Sequence, residues 1–355
     1  MKKISTYKLI TVVLGITLMV FLCACSNHAP KTMSGDSNSP LRVAISPYQD
    51  VAMLVNEKSL GLEEKYRTKL DLVTMPWEDI LPALASAGQT VDVGFVGLSD
   101  YLIKTENLNG LGDDPILFIY PAYVFNGGGF ISFNPDVPNI DAEKLKDPAT
   151  IKKFLGFRIG VQKNSVPQML FFMLAHKVGV KPSKLEITDI TFNDGLLAAE
   201  NGNLDITYAG LTQRTEALKR HGRVVLTLET AGIADITGFA CKASVYKQRK
   251  KDIDSLIKMW FDCANYVLSD LDHHTNVTLT YLKNNASTKY TLKEYKNALT
   301  QEYFPRSINE AQKKLISGTG EFSIKRMSDI TNQYLIDNGI AKSPRPAPKI
   351  ISVDQ

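Results

Sequence analysis

Cysteine is scarce in this chain, with four in 355 residues, too few to staple a small disulfide scaffold. A strong charge of one sign is missing too. The formal net charge is +4, and Lys2, Lys3 and Lys8 carry most of it. Beyond residue 24 the chain holds 38 basic against 37 acidic groups, which leaves no electrostatic footprint for a nucleic acid. Only one apolar stretch approaches bilayer length, so a polytopic membrane protein is excluded. With 23 Gly, 16 Pro and 44% hydrophobic residues, collagen-like and disordered compositions fail as well. The phosphate-loop, H-E-x-x-H and G-x-S-x-G signatures are absent from the sequence.

What is present begins at the N-terminus. Lys2 and Lys3 precede an apolar run from Leu9 to Leu22, which ends at Leu22-Cys23-Ala24-Cys25 before polar Ser26 and Asn27. That is the pattern of a bacterial secretory signal over residues 1–24 with a lipobox, and Cys25 is the residue expected to be acylated. The competing reading, a transmembrane anchor, suits the length poorly and gives the cysteine no role. Residues 25–40 are rich in Ser, Asn and Pro and read as a flexible tether between lipid and folded body. The far end, 341–355, reads as an extended tail.

Between these ends, short β-rich runs alternate with amphipathic helical windows, the pattern of α/β architecture with mainly parallel sheets. Strands are expected at Leu41–Ser46, Leu70–Met75, Val91–Val96, Ile116–Phe125 and Phe130–Phe133. A second series follows at Phe157–Val161, Leu185–Phe192, Leu204–Tyr208 and Val224–Leu228. From Asp252 onward the pattern is almost wholly helical.

In open α/β sheets, ligands sit beyond the carboxyl ends of strands, where loops and helix N-termini converge. The positions that meet this rule are Ser46 and Tyr48, Trp77, the run Gly97-Leu98-Ser99, the pair Asn164-Ser165, Tyr208 with Gly210, and Asp235. Several carry an alternative. Ser99 and Ser165 suit plain helix capping, Tyr48 and Trp77 suit either surface packing or a stacking wall, and Tyr208 suits the core. Near these loops Asp50, Glu78, Asp79, Asp100 and Asp235 outnumber Lys163 and Arg214. A fully anionic ligand normally wants an arginine clamp. The acidic, aromatic set suits a zwitterion or a donor-bearing heteroaromatic such as a pyrimidine, unless these acids merely cap helices. Asp270, Asp272, His273 and His274 lack metal-ligand spacing and read as a polar helix end. No metal and no cofactor are expected. Cys241 and Cys263, on a strand and the next helix, leave a disulfide or two free thiols open.

The order of segments resembles the periplasmic-binding-protein family of sulfonate, taurine, nitrate and thiamine-precursor receptors of ABC importers. The chain opens with Leu41-Arg-Val-Ala-Ile-Ser-Pro-Tyr48 and continues with Gly61-Leu-Glu-Glu-Lys-Tyr66. Next comes Leu84-Ala-Ser-Ala-Gly-Gln-Thr-Val-Asp92-Val-Gly-Phe-Val96, a theme repeated at Gly202-Asn-Leu-Asp205-Ile-Thr-Tyr-Ala209. Between them, Gly156-Phe-Arg-Ile-Gly-Val161 and Asn164-Ser165 match the family's "L-K-G-K-R-I-G-V" and helix start, although the insert Lys146–Phe154 departs from it. The similarity covers roughly residues 41–340.

The resemblance implies a type II periplasmic-binding-protein fold, two α/β lobes around a cleft with a helical C-terminal segment. The first lobe would be 41–126 joined by 240–340 and the second 131–236, with crossings near 126–131 and 236–240. It implies that the loops above line the cleft and take a small-molecule ligand, which a monomer delivers to ABC permease and ATPase subunits. Contact with the membrane would run through the lipid anchor, with the exported chain on the periplasmic face or the outer surface of the cell membrane. Two alternatives stay open. One is an enzyme of the same fold, against which the export signal and the absence of the pyrimidine synthases' cysteine-rich motif both weigh. The other is a ligand sensor for a membrane kinase.

Overall fold

A computed structural model describes residues 39–86, 90–110, 113–286 and 289–353. The expected signal segment and Cys25 lie outside the described residues.

Among the described residues, ten strands form two five-stranded sheets. The first contains β1 (Leu41–Ile45), β2 (Leu70–Thr74), β3 (Val93–Gly97), β4 (Ile116–Phe125) and β10 (Asp235–Lys242), in the order β2-β1-β3-β10-β4. The second contains β5 (Gly129–Ser132), β6 (Ile159–Val161), β7 (Ile187–Asp189), β8 (Ile206–Ala209) and β9 (Arg223–Thr227), in the order β7-β6-β8-β5-β9. The two orders are the same pattern. In each sheet one strand runs antiparallel to its neighbours, β10 in the first and β5 in the second. The alternation of strands and helices signals the parallel parts and misses the direction of these two strands. Each follows directly on a crossing from the other sheet, so it enters from the opposite end.

The crossings are fixed by the pairing. The chain leaves the first sheet after Phe125 and starts β5 at Gly129. It leaves the second after Thr227, and Asp235 already pairs with Phe125. The return therefore lies before Asp235 rather than at 236–240, and Asp235 and Ile236 belong to the first sheet.

The same clamp ties β-strands together in each lobe. The Arg42 backbone N–H and Nε donate to Asp92 Oδ2, and its Nη2 donates to Oδ1. Arg158 does the same to Asp205, at 3.0, 2.9 and 2.9 Å. These carboxylates are the repeated Asp of the two sequence themes.

Behind the first sheet, the helix Ala243–Ser269 buries Trp260 against Phe95, with ring centroids 5.1 Å apart. The indole N–H donates to the Ala122 carbonyl at 3.3 Å. Cys241 and Cys263 are free and buried, so burial pushes the Cys241 thiol up to about 12 and both pack as small apolar groups. At the end of that helix His273 Nδ1 pairs with Asp270 at 2.8 Å, a polar helix terminus. The last helix, Ile324–Asp337, bridges the lobes. Ile324 and Met327 pack on the first, while Tyr334 and Leu335 join the core of the second. The tail then lies against the first lobe. Arg345 pairs with Glu106 at 2.6 Å, and the Ile351 N–H donates to the Ile119 carbonyl at 3.1 Å.

Candidate functional site

The strand ends of both sheets face a cleft lined mainly by apolar surface, where ligands of such folds sit. One wall comes from the first lobe. Tyr48 and Trp77 stand with ring centroids 6.3 Å apart at 37°, and Tyr123 and Phe125 at the end of β4 extend the wall. Phe192 and Tyr208, 5.2 Å apart, answer from the second lobe. Gly128, in the crossing between the lobes, makes room for Tyr208. A Cβ there would lie 2.0 Å from the Tyr208 hydroxyl.

The charged side chains in this apolar box are all carboxylates, Asp50, Asp100 and Asp235. Asp235 is buried at the start of β10, and its Oδ1 accepts from the Ser99 N–H at 3.0 Å, the Ser99 hydroxyl at 3.1 Å and the Ile236 N–H at 2.8 Å. Burial first, then the Asp100 charge, pushes the Asp235 carboxyl up to about 7 against those three hydrogen bonds. Asp100 Oδ2 accepts the Trp77 indole N–H at 3.2 Å, and Oδ1 pairs with Lys104 at 3.0 Å. Gln213, 3% exposed, faces the Tyr48 hydroxyl across the cleft and donates to Asn193, while its Oε1 is buried with no partner. Among the described residues, no lysine or arginine lines the cleft. Arg214 lies behind it, donating to the Gly127 carbonyl; burial pulls its guanidinium down.

Of the positions chosen from sequence, Tyr48, Trp77, Ser165, Tyr208, Gly210 and Asp235 line the cleft. The others stand behind it. Ser46 is buried and donates to the Met75 carbonyl at 3.0 Å. Leu98 packs in the core, and Ser99 acts on the cleft through Asp235. Gly97 leaves space for the Asp235 carboxylate, since a Cβ there would sit 2.3 Å from Oδ2. Asn164 holds a left-handed turn at φ 54, its N–H donating to Gln168. Gln49, Asp50, Tyr123, Phe125, Gln162, Phe192, Gln213 and Thr237 also line the cleft but escaped the sequence reading as ligand positions. Gln213 had a signal, since it falls in the first helical turn after the Gly210 loop. Tyr123 and Thr237 had none, because residues at the ends of crossing strands look like core.

No protein-family model matches the sequence, and no curated protein matches it by sequence. Solved structures do match in fold. The alkanesulfonate-binding protein SsuA from Xanthomonas axonopodis pv. citri, bound to MOPS, is 13% identical and covers 87% of this chain and 95% of its own, at a TM-score of 0.62. The periplasmic aliphatic sulphonate binding protein SsuA from Escherichia coli is also 13% identical, covering 86% and 94% at 0.61. The periplasmic nitrate-binding protein NrtA from Synechocystis PCC 6803 is 15% identical, covering 72% and 68% at 0.55. The chain thus has the two-lobed periplasmic-binding-protein fold. Those three neighbours are binding proteins for sulfonates or nitrate.

Proposed function

We propose that this chain is an extracytoplasmic solute receptor of an ABC importer, held to the membrane through a lipid on Cys25 and acting as a monomer without catalysis. Its ligand is a flat heteroaromatic carrying N–H donors, of the pyrimidine class rather than the sulfonate class. The observation that carries this reading is the cleft itself. Aromatic walls from both lobes enclose acceptors, Asp235 and Gln213 Oε1, with no cationic side chain lining it among the described residues. A sulfonate would leave its charge unpaired there, whereas a ring with amino groups stacks and donates. Contacts from both lobes then favour the closed state over the open one.

The test is thermal unfolding of the chain from Ser26 against aminopyrimidines, thiamine and its pyrimidine precursors, taurine, alkanesulfonates and nitrate. At a hundred times the dissociation constant a ligand adds about 2.7 kcal/mol, a midpoint rise of several degrees. A shift with an aminopyrimidine and none with sulfonates is expected, with the ligand recovered unchanged. A shift with sulfonates or nitrate alone overturns the ligand class, and a flat panel overturns the receptor reading.

A further inference from the structure

One polar cluster runs from the cleft lining, at Gln49 and Asp50, back to Glu302. Gln49 lies between two carboxyl groups of the first lobe and a hydroxyl of the second. Its Nε2 donates to Glu302 Oε1 at 3.1 Å and to Asp50 Oδ2 at 3.3 Å. One amide nitrogen thus bridges two acids that are far apart in sequence and close in space. With the nitrogen turned to the acids, Oε1 faces the second lobe, where it accepts from the Thr212 hydroxyl at 3.2 Å. Tyr290 braces the junction, its hydroxyl donating to Thr212 at 2.8 Å. The Gln49 backbone is fixed as well, its carbonyl accepting from Tyr295 at 3.0 Å.

We propose that Gln49 is an interlobe latch, oriented by Asp50 and Glu302 sharing a single proton, so that closing the cleft takes up one proton from solvent. Two ionised carboxylates on one amide nitrogen, with Asp50 buried and Glu302 Oε2 shielded from water, repel strongly, and one proton between them relieves that. Glu302 Oε2 is buried without a donor of its own, and a protonated Glu302 supplies one toward Asp50. The groups facing the pair do not neutralise it. Tyr48, Tyr123, Tyr290 and Tyr295 present uncharged phenols, and burial raises all four. On the outer side Glu302 borders a surface depression lined also by Arg306 and Glu310. Burial, and then the neighbouring acid, holds Glu302 well above the usual carboxylate range. When the second lobe swings away, Gln49 and the pair meet water and the shared proton is released. Closure is thus strongest at low pH and weakens as pH rises from the open-state value through the closed-state one.

The latch rests on the lobes closing as proposed above. Its test uses no ligand, so it fails or stands apart from the ligand panel. In the full chain carrying Cys23→Ser and Cys25→Ser, spin labels are placed at Lys58→Cys on the first lobe and Lys153→Cys on the second. Pulsed electron resonance then reads the interlobe distance from pH 5 to 8.5. Asp235 titrates in the same range, so the decisive quantity is the difference between the parent and Glu302→Gln. The closed-to-open ratio should fall by about tenfold more in the parent than in E302Q, and Gln49→Leu should be more open at every pH. Asp50→Asn removes the like charge from the other side and should flatten the response as E302Q does, which keeps the test available if one variant folds poorly. A pH course identical in parent, E302Q and D50N, or an unchanged closed fraction in Q49L, overturns the latch.

Discussion

Ser99 donates twice to one oxygen of Asp235, through its backbone N–H at 3.0 Å and its hydroxyl at 3.1 Å. The same oxygen also takes the Ile236 N–H, so three donors hold a buried carboxyl that still sits near pH 7. Desolvation outweighs the hydrogen bonds. The folded protein therefore binds a proton here that the unfolded chain releases between about pH 4 and 7, and stability falls as pH rises across that window. Asp235→Asn should flatten this part of the profile, by no more than about 4 kcal/mol between pH 4 and 8. Urea unfolding of both proteins at several pH values reads the difference, and parallel profiles would contradict it.

Gly128 and Tyr208 should behave as one unit. Gly128→Ala drives a methyl into the phenol and should cost about 1–3 kcal/mol. Adding Tyr208→Phe should return part of that loss, so the double variant is less damaged than the sum of the singles. Strict additivity in denaturant unfolding would mean that the clash is relieved elsewhere.

Gln213 offers a case in which ligand binding and stability part ways. Its Oε1 is buried and unpartnered, so Gln213→Leu should leave the melting midpoint of the ligand-free protein within about a degree or raise it. Affinity for the aminopyrimidine that shifts the parent should drop by about tenfold. Calorimetric titration beside a thermal scan separates the two, and a large loss of stability with unchanged affinity would reverse the assignment.

The Arg158–Asp205 clamp predicts an acid-side effect. The Arg158 hydrogen bonds hold the Asp205 carboxyl well below the usual carboxylate range. A depressed carboxyl contributes stability that is present above about pH 4 and lost as pH falls through the folded value. Asp205→Asn should lower the urea midpoint at pH 7, and the gap to the parent should narrow toward pH 2.5. A gap of constant size would show that the charge contributes nothing.

Much of this was legible in the chain. Strand positions such as Leu41–Ile45 and Leu70–Thr74 follow from β-branched runs between turn residues, and the repeated Asp92 and Asp205 themes mark two similar halves. Tyr48 and Trp77 were reachable because they follow strand ends, and Asp235 because it lies past the strand expected at Val224–Leu228. Gln49 with Glu302 was not, since the two lie 253 residues apart in sequence and only packing brings them together. The antiparallel entry of β5 and β10 was hidden for a related reason. Hydrophobic period reports a strand's faces, not its direction.

The seat of β10 between β3 and β4 has a consequence for how the chain comes into being. The first sheet cannot be completed until residue 242 has been synthesised, after every strand of the second sheet. The second lobe's strands form one unbroken stretch, Gly129 to Thr227, and can assemble while the earlier segment waits with β3 and β4 unjoined. The N-terminal half is thus made first and finished last.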